Sequence, residues 1–137
     1  MGSSKSSNLL IVTSLFLALS MMTTGVRGMY HVYVYNMLGE NENLWVHCSS
    51  KDDDLGIHLV PYQGDFHWKF NINIFRTTLF SCDLAKKTVS GHFVIFDAKR
   101  DGGHKCKDHQ CIWHVKKDGI YFYNAYTMAD ELMFRWP

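Results

Sequence analysis

The chain has 137 residues, of which 47% are hydrophobic, 15% aromatic and 20% charged, and its formal net charge is +1. This length suits one domain, and the apolar and aromatic content excludes a disordered chain. Because neutralising phosphates requires a basic excess, the near-neutral charge argues against a general nucleic-acid binder. We therefore expect a folded single-domain protein that does not bind nucleic acid.

Residues 1–28 have the composition of a secretory signal peptide. Lys5 is the only charged residue before Arg27, the run 9–22 is mainly apolar, and small and polar residues follow up to Gly28. The apolar run is shorter than the roughly 20 residues that cross a bilayer. We predict cleavage after Gly28, with Gly25 or a retained membrane anchor as alternatives. The mature domain, 29–137, then has 12 basic and 13 acidic residues, and we expect it to be secreted, extracellular and not inserted in a membrane.

The cysteines of the chain all lie in this mature domain, at Cys48, Cys82, Cys106 and Cys111. An even number in a small secreted chain predicts two disulfides. Cys106 and Cys111 are close enough to bridge locally, which would leave Cys48 with Cys82, but a long-range bridge from the strand-like segment around Cys111 is equally compatible. His104 and His109 beside this pair offer zinc ligands, although the spacing matches no common structural zinc site. We expect no metal and no cofactor.

Short β-branched and aromatic segments separated by turns fill the mature chain. We predict strands at 31–35, 44–48, 57–60, 66–70, 78–82, 92–96, 111–115 and 120–123. The clearest alternation places Phe66, Trp68 and Phe70 on one face. No long segment of helical period follows residue 28, so the pattern predicts an all-β fold, a small antiparallel β-sandwich of seven or eight strands with two disulfides. The tail 129–136 suits either a final strand or a short helix.

One hairpin has a strong local signal. Asp118-Gly119 lies between strand residues, and this dipeptide is typical of a two-residue hairpin loop. With these two residues as the loop, Val115 lies opposite Phe122. The buried face should carry Trp113, Val115 and Phe122, and the partly exposed face Ile112, His114, Lys116, Tyr121 and Tyr123.

Eight scattered histidines raise the possibility of catalysis. Two histidines and a lysine could form a ribonuclease-type acid–base pair, which makes a secreted hydrolase or nuclease the first alternative function. The local sequence assembles no such pair, and the chain lacks a nucleophile elbow, a His-Glu-X-X-His motif and a phosphate loop. We therefore predict that the protein is not an enzyme. The second alternative is a sugar- or metal-binding defence protein that uses the exposed face of Tyr121, Tyr123 and His114.

Two polar segments are candidate loops. The three carboxylates Asp52, Asp53 and Asp54 lack the spacing of an EF-hand calcium site. They favour a solvated turn in which Gly56 has an unusual φ and one Asp accepts hydrogen bonds from backbone N–H groups. Residues 97–105 form a long, charged, glycine-rich connection next to Cys106, which suits either a solvated link or a recognition surface on a rigid scaffold.

Three blocks resemble one known family. Residues 44–56 (LWVHCSSKDDDLG) look like the signature of the plant self-incompatibility protein S1 family, and 78–82 (TLFSC) and 111–121 (CIWHVKKDGIY) are similar to its later blocks in order and spacing. The resemblance implies a small secreted plant protein with a disulfide-bonded β-sandwich. Its founding members are stigma-secreted determinants recognised by a pollen-side receptor.

We therefore predict a secreted, non-enzymatic recognition ligand. It would act through a cell-surface receptor, in rejection of self pollen or in other cell–cell signalling, and we expect it to be a monomer. The candidate surface is the loop 97–109 and the turn at 52–54. The candidate receptor-binding residues are Asp52, Asp53, Asp54, Lys99, Arg100, Asp101, His104 and Lys105.

Overall fold

The computed structural model describes residues 28–137, and this part of the chain forms nine strands and two short helical segments. The strands are β1 Met29–Asn36, β2 Leu44–Ser49, β3 Asp54–Val60, β4 Asp65–Asn71, β5 Leu79–Lys86, β6 Val89–Asp97, β7 Gln110–Lys116, β8 Gly119–Asn124 and β9 Ala129–Phe134. Helix α1 (Ala98–Asp101) and a 3-10 turn (Lys107–His109) lie between β6 and β7. Apart from Gly28, the predicted signal peptide lies outside the described residues.

The strands form a sandwich of two sheets. One sheet has the order β4-β1-β7-β8-β9 and the other has the order β3-β2-β5-β6. The prediction of an all-β sandwich is confirmed, and the tail supplies a ninth strand beyond the seven or eight counted from sequence. All neighbouring strands are antiparallel except β1 and β7, which are parallel. These two are far apart in the chain, so no hairpin turn fixes their relative direction.

The core follows from the period-two alternation of the strands. Along β1 and β7, buried and half-buried residues alternate one by one, so each strand gives one face to the core. Burial of these apolar faces is the main favourable contribution to folding. The largest fully buried side chains are Trp113, Phe96, Phe122, Leu38, Leu44, Leu84, Ile95 and Ile120.

The β7–β8 hairpin forms, but its predicted register is wrong. Val115 lies opposite Ile120 rather than Phe122, and residues 117–118 make the loop. Gly119 instead begins β8, where a Cβ atom would lie 2.7 Å from the Phe134 carbonyl oxygen of β9. The glycine is therefore required by the close approach of β9. The predicted faces are still correct, because the partner of Val115 changes by two positions, from 122 to 120, and side chains two positions apart lie on the same face of a strand.

The connections between strands divide into two groups, one at each end of the sandwich. At the first end, the start of β1 lies beside the end of β4 and the start of β7. Contacts of Phe70 with Phe80 and Phe96 join the two sheets there. We name this the loop end; its connections are 50–53, 72–78, 98–109 and 125–128. The opposite, or turn, end has the connections 37–43, 61–64, 87–88 and 117–118.

Candidate functional site

Both segments selected from the sequence lie at the loop end. The connections 50–53 and 98–109 both join strands of the sandwich there, although they are far apart in the chain. The connection 72–78 lies between them and contacts the second, because the Ala98 amide donates to the Thr78 carbonyl. The structure thus brings the two predicted loops together and adds a third.

The three carboxylates at 52–54 form the predicted solvated turn. The Ser50 amide donates to the Asp53 carbonyl at 2.8 Å, which closes the turn. Asp54 Oδ1 accepts from the Gly56 amide at 2.9 Å and from His47 Nε2 at 2.7 Å, and Gly56 has a φ of +80°. The Gly56 N–H, and then the His47 ring, hold the pKa of Asp54 below its ordinary value. Asp52 and Asp53 are exposed and available to a partner.

The loop 97–109 is more ordered than a solvated link. Asp97 begins α1 by accepting the Lys99 amide at 3.0 Å. Asp101 is only 1% exposed. Its carboxylate accepts two bonds from Arg100 at 2.7 Å, and Lys105 Nζ lies 3.2 Å away. Asp101 is therefore buried beneath the loop and is not accessible for direct contact with a receptor.

Arg100 and Lys105 are also committed to the fold. The Arg100 guanidinium donates to the Ile95 carbonyl at 3.1 Å and lies 5.7 Å from the centre of the Trp113 ring. Lys105 Nζ lies 4.6 Å from the centre of the Phe122 ring. Both contacts are cation–π interactions with rings of the core. Of the candidate residues in this loop, Lys99 and His104 are the exposed ones.

Both disulfides lie in the half of the sandwich nearest the loop end. Cys48 pairs with Cys82 across β2 and β5, and Cys106 pairs with Cys111 at the base of the loop 98–109. The second is the local bridge that the sequence offered as one alternative. Because both sulfurs of that pair are oxidised, they provide no thiolates for zinc. Among residues 28–137, no group of three or more His, Cys, Asp or Glu side chains is placed to hold a metal ion.

Sequence reasoning missed the most exposed apolar residues of the loop end. Ile74 and Phe75, at the tip of connection 72–78, are 88% and 80% exposed. Asn73 closes the loop below them, because its side chain accepts the Thr77 amide at 2.8 Å and donates to the Thr77 hydroxyl at 2.8 Å. The sequence signal that could have found them is an apolar pair between Asn73 and Arg76, beyond the end of the strand predicted at 66–70.

Two open clefts flank this tip. One, of about 340 Å³, lies between connections 50–53 and 72–78, and its lining includes Lys51 and Asp53 as well as Phe70. The other, of about 400 Å³, lies between connection 72–78 and the start of β1, and includes Arg76 and His109 in its lining. The Ile74–Phe75 tip is thus an apolar projection between two clefts with polar rims.

The histidines are distributed over both sheets. Four of them hydrogen-bond to carboxylates at 2.7–2.8 Å, in the pairs His47–Asp54, His67–Asp65, His92–Asp83 and His114–Asp130. The His92 and Asp83 side chains are each 63% exposed. Each of these imidazoles is therefore held by a local partner on a sheet surface.

The face of Tyr121, Tyr123 and His114 is partly exposed, as predicted, but Tyr121 and His114 are hydrogen-bonded to carboxylates of the fold. The Tyr121 hydroxyl donates to Asp118 at 2.8 Å, which raises the pKa of Tyr121. The Asp130 carboxylate bonds to His114 Nδ1 at 2.8 Å and to Lys116 Nζ at 2.7 Å. The hydrogen bond between Asp130 and Lys116 raises the pKa of Lys116. Few unpaired groups remain there to bind a sugar.

The fold and the loop end define a class of protein: a small disulfide-bonded β-sandwich that presents loops at one end. The model of the family described as plant self-incompatibility protein S1 matches residues 31–136. The chain belongs to this family, so the resemblance inferred from the three blocks is confirmed. No helix within residues 28–137 is long and apolar enough to cross a membrane.

Individual relatives agree with this assignment. S-protein homolog 5 of Arabidopsis thaliana is 43% identical over 88 residues, covering 64% of this chain and 66% of that protein. Self-incompatibility protein S1 of Papaver rhoeas is 35% identical over 114 residues, covering 82% of this chain and 78% of that protein. A solved structure of a self-incompatibility protein homologue, described as one of a widespread family of small, highly stable, secreted plant proteins, matches with a TM-score of 0.59 at 16% identity. That match covers 79% of this chain and 94% of the solved one and supports the fold.

Proposed function

We propose that this protein is a secreted, non-enzymatic recognition ligand that acts outside the cell through a cell-surface receptor bound at the loop end. Secretion is supported by the composition of residues 1–28 and by the description of the related solved structure as a secreted plant protein. Rejection of self pollen and other cell–cell signalling are the two settings in which such a ligand would act, and the Papaver relative is named a self-incompatibility protein.

The observation that carries the proposal is the exposed Ile74–Phe75 tip. Large apolar side chains that are 80–88% exposed do not contribute to this fold, whereas they are the usual centre of a protein–protein contact. The exposed charges of Asp52, Asp53 and Lys99 lie on the neighbouring connections 50–53 and 98–109 and suit the polar rim of such an interface. His104 lies on the same end and completes the surface.

The proposed surface differs from the one predicted by sequence. Lys99, His104, Asp52 and Asp53 remain in it, and Asp54 belongs to the supporting turn. Asp101, Arg100 and Lys105 support the loop from below, so replacing them would affect folding before binding. The apolar tip takes their place as the main binding element.

The test is binding of labelled secreted protein to the surface of pollen and of vegetative plant cells. Replacing Ile74 and Phe75 together by Ala should weaken binding at least about tenfold, because truncating central apolar contacts removes most of the binding energy, while the unfolding temperature stays unchanged. Replacing Ile57 and Leu132 by Ala is the matched control, since these residues are 67% and 40% exposed on β3 and β9 and belong to neither the tip nor its flanking clefts. Equal binding by the two variants would contradict the proposal.

The hydrolase alternative has its own measurement. Purified protein should leave RNA intact if it is a ligand. RNA turnover that is lost on His47→Ala or His92→Ala would make the protein an enzyme and would remove the non-enzymatic part of the proposal.

A further inference from the structure

A second exposed surface lies at the turn end, around Trp45. The other three tryptophans are held in the fold: Trp113 is fully buried, Trp68 is 9% exposed, and Trp136 packs against Phe93. Trp45 is 50% exposed at the start of β2. Leu59, opposite it on β3, is 49% exposed and extends the apolar surface. An indole in this position adds little to the core, so its exposure calls for another explanation.

Trp45 forms one wall of an open cleft of about 350 Å³. The rest of the lining is polar and comes from residues 41–43, before β2, and residues 86–87, at the end of β5. The volume suits a group of the size of one or two sugar rings. A site with one aromatic wall and several polar groups is typical of a small-ligand site.

The polar groups of the cleft are largely unused by the fold. Two asparagines outside the cleft use their side-chain amides within the fold: Asn36 donates to two backbone carbonyls, and Asn124 donates to Glu131. Asn41 and Asn43, by contrast, are exposed and make no side-chain hydrogen bond within residues 28–137. Lys87 is exposed and forms no ion pair with another described residue. Their donors and acceptors are therefore available to a ligand.

The charge of the cleft favours an anion. Lys86 is fixed at its edge, because its Nζ donates to the Lys117 carbonyl at 2.6 Å and lies 5.0 Å from the centre of the Trp136 ring. Glu42, the acidic residue of the lining, lies 3.8 Å from Lys117 Nζ. Lys86 and Lys87 against Glu42 leave an excess of one positive charge in the lining of the cleft.

We propose that this cleft binds an oligosaccharide that contains uronic acid. The C–H groups of a sugar ring carry slight positive charge and suit the negative face of the Trp45 indole. The carboxylate of the uronate would pair with Lys87, supported by the field of Lys86, and the hydroxyls would bond to Asn41 and Asn43. Lysine without arginine, in a domain of nearly balanced charge, favours this ligand over a nucleic acid, which requires a larger basic excess.

The experiment titrates the secreted protein with an oligogalacturonate and, separately, with a neutral galactose oligomer of equal length, followed by amide chemical shifts and calorimetry. We expect the oligogalacturonate to bind with shifts centred on Trp45, and the neutral oligomer to bind at least about tenfold more weakly. Binding should weaken as the ionic strength rises. Shifts at another surface, or equal binding of both oligomers, would overturn the proposal.

Two pairs of variants separate the contributions of the ring and the charge. Trp45→Ala should weaken binding at least about tenfold, whereas Tyr126→Ala, which removes an aromatic ring 57% exposed at the loop end, should leave it unchanged. Lys87→Gln should weaken binding several-fold and reduce its salt dependence, whereas Lys107→Gln should not. Polyglutamate is the control for an anion without sugar rings. If the protein bound polyglutamate as tightly as oligogalacturonate, the proposal of a sugar ligand would be refuted.

This site is independent of the proposed receptor surface. Trp45→Ala should leave cell-surface binding through the loop end intact in the absence of the oligosaccharide, and replacing Ile74 and Phe75 should leave oligogalacturonate binding intact. Failure of either proposal is therefore distinguishable from failure of the other.

Discussion

The loop end and the turn end join the same two sheets with different kinds of connection. At the turn end, β5–β6 and β7–β8 are joined by the short connections 87–88 and 117–118. At the loop end, the connections 72–78 and 98–109 are longer and are held by hydrogen bonds of Asn73, by ion pairs of Asp101 and by the Cys106–Cys111 disulfide. Short turns are set by the strands they join, whereas long loops need bonds of their own.

This difference bears on function. The loop end can vary its exposed residues while its buried supports stay fixed, which suits recognition of a protein partner. The turn end places the Trp45 ring on a strand, β2, and the polar groups around it on the connections 37–43 and 87–88. Such a surface suits a small repeating ligand.

The disulfides provide the largest test of the comparison. Replacing Cys48 and Cys82 by Ala should lower the free energy of unfolding by about 4 kcal/mol, and replacing Cys106 and Cys111 by about 2 kcal/mol, because the first bridge closes a longer loop of the unfolded chain. The sequence separations are 34 and 5 residues. Denaturant unfolding measures both. Equal losses would show that the local bridge stabilises the loop end by more than chain entropy.

The buried carboxylate provides the next test. Asp101→Asn should destabilise the protein by about 3 kcal/mol, because it leaves Arg100 and Lys105 without their charged partner in a partly buried site. Asp52→Asn, at an exposed position of the same end, should change stability by less than about 0.5 kcal/mol. Thermal unfolding compares the two. A small effect at Asp101 would mean that the loop 98–109 holds its shape without this ion pair.

A pair of glycines compares the two ends directly. Gly119→Ala should cost about 2 kcal/mol, because the new Cβ would lie 2.7 Å from backbone of β9 and force it outward. Gly103→Ala should cost about 1 kcal/mol: no atom lies within 4 Å of a Cβ there, but the φ of +89° strains an alanine. The unfolding free energies of both variants decide the order. The reverse order would show that β9 yields easily at the turn end.

The smallest expected effect is the pH dependence of the turn at 52–54. The pKa of Asp54 is lower in the folded protein than its ordinary value of 3.8. The stabilisation from its ionised form is therefore complete above the unfolded pKa and is lost as the pH falls through the folded pKa. Wild type should lose slightly more stability than Asp54→Asn when acidified below about pH 4. Parallel curves would show that His47 and Gly56 do not favour the ionised carboxylate.

The loops of the candidate site could be predicted from the sequence, but their arrangement in space could not. The segments 52–54 and 97–109 were identified because charge, glycine and a nearby cysteine mark loops along the chain. Their meeting at one end was not, because it depends on strand order, including the parallel pairing of β1 with β7. Asp101 reads as an exposed charge in sequence. Its burial depends on the cations of Arg100 and Lys105, which pair with its carboxylate. These cations in turn lie against the rings of Trp113 and Phe122, which belong to β7 and β8.

The sequence by itself determined the positions of the first eight strands, the buried faces and the family, since these depend on local alternation and on short blocks of residues. The tertiary structure decided the disulfide pairing, the hairpin register, the role of Gly119 and the exposure of Ile74, Phe75 and Trp45. Each of these depends on which segments distant in the chain become neighbours in space, and a local sequence pattern does not determine those neighbours.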